Sequence, residues 1–505
     1  MKSKPARGEM ESRKHKNYYP CQFYPMIRKH LLASRERFHT ALMKESTKCK
    51  MKEAEEARTF ASLVPSAFHV KSKNWCNYAN SESDNGAPRL MHGRTGSNKF
   101  IDVGLIHPDF AKIRSTLDPE IHPSLEDFEM AITLASTMTN MYEQEANRQK
   151  VINDVLSNLL STPLHLSPFS SAGIGPYQSD RTSGTNNNMF INVEYRNEID
   201  SSSGDPFMQN IAYYHNFLLK ECQKTIHNHH HPWLLIECVG NLMAISAAVM
   251  GPNRTICAQP LSDYIRFSTL GSFGKKQAHF CMSLRLGIKA LAEWYSKHSH
   301  KVDAQAGFPF VRKVQIDNIF HEIKYQRVLG DATKPVFLAK LNSDKGSRDV
   351  VVKFVDENQL RPSNYGVKAH RLLEKAGHAP ELIFQGQLEG IGITVIIMEY
   401  INGNHWPSNP TPGQKENLKK IVSLLRGEGF VHGDLRGPNL LVIDDVVKVI
   451  DFDWAGKIGE AWYPCILNKD VKWHKDAKLG SEIKQEHDEF MVTQLCDDHI
   501  PDNLF

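Results

Sequence analysis

Hydrophobic and polar positions follow three regimes along the chain. Up to about residue 100 no period is sustained. Short apolar pieces such as Phe23-Tyr24-Pro25-Met26-Ile27 sit among basic and polar runs, and turn-forming residues fill 81–86 and 93–98. Residues 1–104 therefore read as mostly disordered, with one or two short helices. Order begins near Leu105. Ser124 followed by Asp127 is a helix start with its cap and N3 acid. Val151, Ile152, Val155, Leu156, Leu159 and Leu160 recur at helical spacing and predict a helix that includes 142–160. Residues 189–198 predict a strand ending in charge, and a helix follows from Pro206. The run 233–239 reads as a core strand; 242–250 fits a core strand or a buried helix, which periodicity alone does not separate. A long helix is expected over 276–298, then a linker over 298–308. Beyond it, a C-terminal domain begins with 314–316 and 325–330, and 336–341 and 350–354 predict successive antiparallel strands, with Lys345-Gly346-Ser347 turning between those two. Helices are expected over 364–376, stopped by Gly377, over 416–426 and over 487–492.

Composition changes this picture little. The 505 residues carry a net charge of +4 and suffice for two or three cores. The nine cysteines are scattered, odd in number and without a CxxC pair, which points to a reducing, intracellular compartment, cytoplasmic or nuclear. No apolar run reaches membrane-spanning length, so no membrane partner is expected. Basic clusters in the N-terminal tail, Arg13-Lys14-His15-Lys16 among them, fit a nucleic-acid contact, a nuclear address or a solvated tail. The histidine run 227–231 reads as a polar loop, because adjacent histidines do not easily converge on one tetrahedral metal.

The chemistry concentrates in Val431-His432-Gly433-Asp434-Leu435-Arg436-Gly437-Pro438-Asn439 and in Ile450-Asp451-Phe452-Asp453-Trp454. Phosphoryl transfer needs such a set: Asp434 to orient the attacking hydroxyl and take its proton, Asn439 and Asp451 to hold the divalent metal on the phosphates. The two motifs resemble the catalytic loop and metal motif of the protein kinase superfamily. Gly433 stands where most kinases carry Arg, Arg436 where many carry Lys, and Asp453 where the family has Gly. On the same resemblance Lys353 is the lysine that meets the ATP phosphates. Gly330 is what remains of the glycine-rich loop, so backbone cradling of the phosphates is expected to be weak. The backbone of Glu399 and Ile401 would bond the adenine edge, with Met398 behind it. A kinase also places a Glu on the small-lobe helix to hold its lysine. Here His370 or Ala369 falls at that position, and Glu374, the helix's one acid, comes a turn late. Asp488 is a candidate brace for the catalytic-loop backbone. The stretch after Asp451 is short for a large lobe, and no Ala-Pro-Glu motif closes the activation segment.

Upstream, Asp180, then Glu194-Tyr195-Arg196, then Gln209 with Tyr213 resemble the PD-(D/E)xK nuclease fold, in which two acids bind a metal and a lysine activates water. Arg196 takes the lysine's place and is a poor general base. The pairing, with Gln259-Pro260-Leu261-Ser262-Asp263-Tyr264 between the two motif sets, resembles the fungal-type protein-kinase-like family and Crinkler-type proteins. It implies an α+β chain: a basic region over 1–104, an α/β restriction-endonuclease-like domain over 105–300, and a two-lobed kinase-like domain over 310–505 with a shortened large lobe. It implies a Ser/Thr protein kinase using ATP and Mg²⁺ on a protein substrate. A nucleotide-binding effector module without turnover, and metal-dependent nucleic-acid cleavage through Asp180 and Glu194, are the alternatives.

Overall fold

The computed structural model describes residues 89–91 and 101–496, apart from 118–119, 160–180, 186–187, 198–204, 222–228, 253–254, 270–273, 299–302, 331–334, 345, 357–364, 389–391 and 465–466. The basic clusters of the tail and Asp180 lie outside the described residues. The tail is not wholly without structure: Arg89–Met91 forms strand β1, paired in parallel with β6 (Thr255–Pro260).

The first sheet runs β1-β6-β5-β4-β3-β2, with β7 (Ile265–Arg266) on β5. Among the described residues, four helices precede its main strands: α1 (Val103–Ile106), α2 (Pro108–Ser115), α3 (Leu125–Met138) and α4 (Glu145–Leu159). Strands β2 (Arg181–Thr185) and β3 (Asn188–Arg196) pair antiparallel. From β3 the chain crosses through α5 (Pro206–Glu221) to β4 (Trp233–Val239), which is parallel to β3. A parallel pair requires such a crossover. Asp205 starts α5, its carboxylate accepting from the Phe207 N–H at 3.0 Å. The ambiguous run 242–250 is strand β5 (Leu242–Met250), because the two residues Gly240 and Asn241 fold it straight back onto β4. Helix α6 (Gly274–His298) packs on α3, where Asp127 does two jobs. It completes the capping box with Ser124 and takes the Arg285 guanidinium at 2.9 Å.

The histidine run is a loop, but the described part of it is buried rather than solvated. His229, His230 and His231 are covered, with Trp294 edge-on to His229. Burial pushes His229 down to about 4, so it stays neutral. The described part of the expected linker is also held at both ends. Asp303 lies 3.4 Å from His230, the Phe310 N–H donates to the Leu105 carbonyl at 2.9 Å, and Phe308 stacks on Tyr325. One hydrophobic core accordingly continues from Ile101 to Ile397, through both large sheets.

The second large sheet is antiparallel, in the order β12-β13-β11-β10-β9-β8. It comprises β8 (Lys313–Ile316), β9 (Ile319–Val328), β10 (Val336–Ser343), β11 (Gly346–Asp356), β12 (Leu382–Leu388) and β13 (Ile393–Glu399). Asp317 and Asn318, both at positive φ, make the tight turn from β8 to β9. Helix α7 (Val367–Lys375) sits between β11 and β12 in sequence. After β13 come β14 (Asn404–His405), the capped helix α8 (Pro412–Gly427), β15 (Phe430–Val431), the hairpin β16 (Leu440–Ile443) and β17 (Val446–Val449), β18 (Gly456–Lys457) and α9 (Gln485–Cys496). A second core joins α7, α8, β16, β17 and α9. None of the described helices is long and apolar enough to cross a membrane.

Asp127 gives the first test. Asp127→Ala removes a cap and leaves Arg285 without its buried partner, so unfolding free energy should fall by about 2–4 kcal/mol. Asp127→Asn keeps an acceptor for the Ser124 N–H and should lose less. Urea midpoints of the two variants check the order.

Candidate functional site

The hairpin β16–β17 and the short pair β15–β18 hold a loop over 432–439 against the turn 450–455. Its apolar strands anchor it, and its polar residues face one another. The Ile450 N–H donates to the Asn439 carbonyl at 2.9 Å, which sets Asp451 beside the loop. Asp451 has φ +66, a conformation L residues rarely adopt and one that clusters at functional sites.

Asp434 is buried and fully engaged. Its Oδ1 accepts from Arg436 Nε at 2.8 Å, and its Oδ2 accepts from Asn439 Nδ2 at 2.7 Å. Asn439 Nδ2 also donates to the Asp434 carbonyl at 3.0 Å. Burial pushes the Asp434 carboxyl up to about 7; Arg436 pulls it back. The loop is fixed from behind by α9. Asp488 accepts the backbone N–H of His432 at 2.7 Å and of Gly433 at 2.8 Å. That is the bracing contact expected of it. Gly433 has φ +80, and a Cβ there would run into Ile483, so an arginine at this position does not fit.

Lys353 reaches the same cluster from β11. Its ammonium bonds Asp451 and lies 2.6 Å from Asp453 Oδ1. Burial alone would lower its pKa, but Asp451 and Asp453 outweigh it and hold the ammonium above its usual value. Neither candidate on α7 is its partner. Glu374 is bonded to Arg371 at 2.9 Å. His370 stacks face to face on Phe452, with ring centroids 4.5 Å apart, and bonds the Tyr365 hydroxyl at 2.8 Å and the Pro380 carbonyl at 2.9 Å. The lysine therefore depends on the 451–453 turn rather than on the helix. Asp453 was visible in the sequence only as the residue standing in a glycine's place.

The remaining kinase-like positions are backbone positions. Gly330 lies just past β9 at φ +69 with open space around it. Glu399 ends β13, and its N–H is bonded to the Glu381 carbonyl at 2.9 Å, so only its carbonyl could meet an adenine. Ile401 follows, half-buried.

The second constellation sits between the first sheet and α5. Arg196 lies 2.8 Å from Glu194 and also bonds Gln209, which reaches Tyr213 at 3.4 Å. Glu194, Arg196 and Gln209 are all buried. The pairing of Asp180 with Glu194 is not among the described contacts, since Asp180 is outside them. Sequence reasoning missed Glu237, which stands opposite Glu194 in the β3–β4 register. Its carboxyl meets Ser246 at 3.2 Å and Asn210 at 3.4 Å, and burial pushes it up to about 8. The signal was an acid inside an otherwise apolar strand. Among the described residues no group of three or more His, Cys, Asp and Glu side chains is arranged to hold a metal.

No protein-family model matches the chain, and no curated protein does. Among solved structures it is similar to the kinase PK-1 of Cydia pomonella granulovirus, at 15% identity over 34% of this chain and 66% of that one, with a TM-score of 0.28. So loose a likeness carries no functional weight.

Glu237 yields the second test. Its folded pKa is raised, so its contribution to stability is complete below about 4.5 and is lost as pH rises toward about 8. Glu237→Gln can keep both hydrogen bonds and does not titrate. Between pH 5 and 8 the variant should lose less stability than wild type, by on the order of 1 kcal/mol per pH unit inside the window. Identical slopes in paired urea titrations would rule out a buried neutral carboxyl.

Proposed function

We propose that the chain is an ATP-dependent phosphotransferase, with a two-lobed protein-kinase-like domain over 310–505 that moves the γ-phosphate of ATP to a Ser or Thr hydroxyl of a protein. One observation carries this reading. A buried carboxylate, Asp434, holds the Asn439 amide, the Asn439 carbonyl accepts the Ile450 N–H next to a metal-type acid, Asp451, and that acid touches a buried lysine, Lys353. This is the set that phosphoryl transfer requires, assembled from β11, the 432–439 loop and the 451 turn.

Asp434 has the geometry of the base. Arg436 and Asn439 fix its two oxygens, so it can orient an acceptor hydroxyl without reorganising. A pKa near 7 lets it take the proton late in transfer at neutral pH. Asn439 and Asp451 fit a divalent cation. The bonds of Asn439 use its amide nitrogen, which leaves its oxygen for a metal, and Lys353, Asp451 and Asp453 together carry one excess negative charge. Two protein oxygens suit Mg²⁺, which keeps waters and phosphate oxygens as its other ligands. When bound, the ion neutralises charge on the phosphates. Lys353 supplies a fixed positive charge to the same oxygens. The Glu399 carbonyl and the Ile401 backbone would meet the adenine, and Gly330 would let the chain pass close to the phosphates.

The domain proposed over 105–300 is nuclease-like in its β3–α5–β4 arrangement and its Glu194–Arg196–Gln209 set. Arg196 already occupies Glu194, and the cluster is buried, so its support is for a structural role. The basic N-terminal region is proposed as a contact for nucleic acid or as a nuclear address.

The test is incubation of purified protein with labelled ATP, Mg²⁺ and mixed protein acceptors. Asp434→Asn should lower kcat by at least ~10² with ATP affinity little changed, since a base acts mainly in the transition state. Asp451→Asn should weaken the Mg²⁺-dependent part of ATP-induced thermal stabilisation. In wild type, kcat/KM for the acceptor should rise with pH to a plateau above about 7. Arg436→Ala should move that inflection upward, because the guanidinium favours the carboxylate. Stabilisation by ATP without transfer to any acceptor would replace this reading with a nucleotide-binding effector module.

A further inference from the structure

We propose that Asp453 is a positioning residue that anchors Lys353 in place of the acid missing from helix α7. The inference rests on the phosphotransfer reading and assigns a specific role to the second acid of the 451–453 turn, which that reading counts only as charge.

Three observations carry it. First, the Lys353 ammonium is buried and lies 2.6 Å from Asp453 Oδ1. A buried ammonium needs a paired carboxylate to keep its charge. Second, α7 offers none. Its one acid is taken by Arg371, and His370 occupies the facing position, stacked on Phe452 and bonded on both nitrogens. Third, the turn that carries Asp453 is fixed to that helix. The Gly366 N–H donates to the Phe452 carbonyl at 2.9 Å, the Ala455 N–H donates to the same carbonyl at 3.2 Å, and a Cβ on Gly366 would strike the Ala455 carbonyl. The helix thus steadies the lysine through the turn instead of through its own side chain. The Tyr365 ring, 5.7 Å from the ammonium, adds a wall on the helix side.

The division of labour follows from charge. Were Asp451 the lysine's sole acid, drawing it to a metal would strand the ammonium. With Asp453 present, Asp451 can serve the metal while Lys353 stays charged and aimed at the phosphates. A glycine at 453 has no atom for this.

A double-mutant cycle on the full chain tests the assignment, with Asp453→Asn, Lys353→Met and the pair together. Affinity for ATP with Mg²⁺ is read by equilibrium binding, and Lys353 is read by trace acetylation with acetic anhydride followed by mass spectrometry. Asp453→Asn should weaken binding by ~10-fold in the wild-type background and by less than ~2-fold when Lys353 is already Met. Lys353 acetylation should rise several-fold in Asp453→Asn. Asp453→Glu, which keeps a carboxylate and guards against a folding artefact, should restore slow acetylation. An equal loss of affinity in both backgrounds would make Asp453 a metal ligand or a structural residue and overturn the proposal. Unchanged acetylation would overturn it too. Wild type that fails to bind ATP would sink the phosphotransfer reading, and acetylation would still decide whether Asp453 holds Lys353.

Discussion

A charge taken out of water must be paired, and the burial of Lys353 imposes that constraint on everything around it. The lysine is carried into the interior by β11, a central strand of its sheet. The interior must then deliver carboxylates to it, and both come from one turn. Holding Asp451 at positive φ costs backbone energy, and the surrounding bonds meet that cost: Ile450 to Asn439, Gly366 to Phe452 and Phe452 stacked on His370. Helix α7 and the 432–439 loop are therefore tied to the turn, and the turn to the lysine.

The chain contains a second buried acid–base cluster, and the contrast is instructive. Glu194 and Arg196 lie two residues apart on one strand, so both point to the same face and close on each other. Gln209 and Tyr213 seal them from α5. Lys353 meets acids from a different part of the chain, and the residue before the first of them, Ile450, is bonded to Asn439. One cluster closes between a single strand and the helix beside it. The other still has a ligand oxygen to offer and an acid whose pKa lies near neutrality.

What the sequence made legible was local. Asp434, Asn439 and Asp451 could be picked out because their spacing within a few dozen residues is itself the motif. The Ser124–Asp127 cap and the alternating strands of the second sheet are local too. The Asp488 contact was expected on the kinase resemblance, not from any pattern in the helix, which carries Glu486 and Glu489 as well. The rest depended on contacts across the chain. Nothing in Glu374 reveals that Arg371 claims it, and nothing in Asp453 reveals a lysine 100 residues upstream. His229, His230 and His231 looked polar because the rings covering them, Trp294 above all, come from a distant helix. Leu242–Met250 resolved into a strand only through its partner β4.

Burial of titratable groups on both sides of neutrality confines the working range of the fold. His229, His370 and His432 are pushed down to about 4, so as pH falls from 6.5 the unfolded chain takes up protons that these rings cannot, and stability drops. Asp434 and Asp488 are pushed up to about 7 and about 6, so their contribution is lost as pH rises through those values. Two of these five, His432 and Asp434, lie in the 432–439 loop, and Asp488 is bonded to its backbone. That loop is where the two opposing effects meet, and Asp488 carries the heavier consequence. Ionised, it grips the His432 and Gly433 N–H groups more strongly, yet it sits where burial penalises the charge. As pH rises, Asp488 therefore tightens its hold on the loop near 6, before the Asp434 carboxyl in that loop loses its own proton near 7.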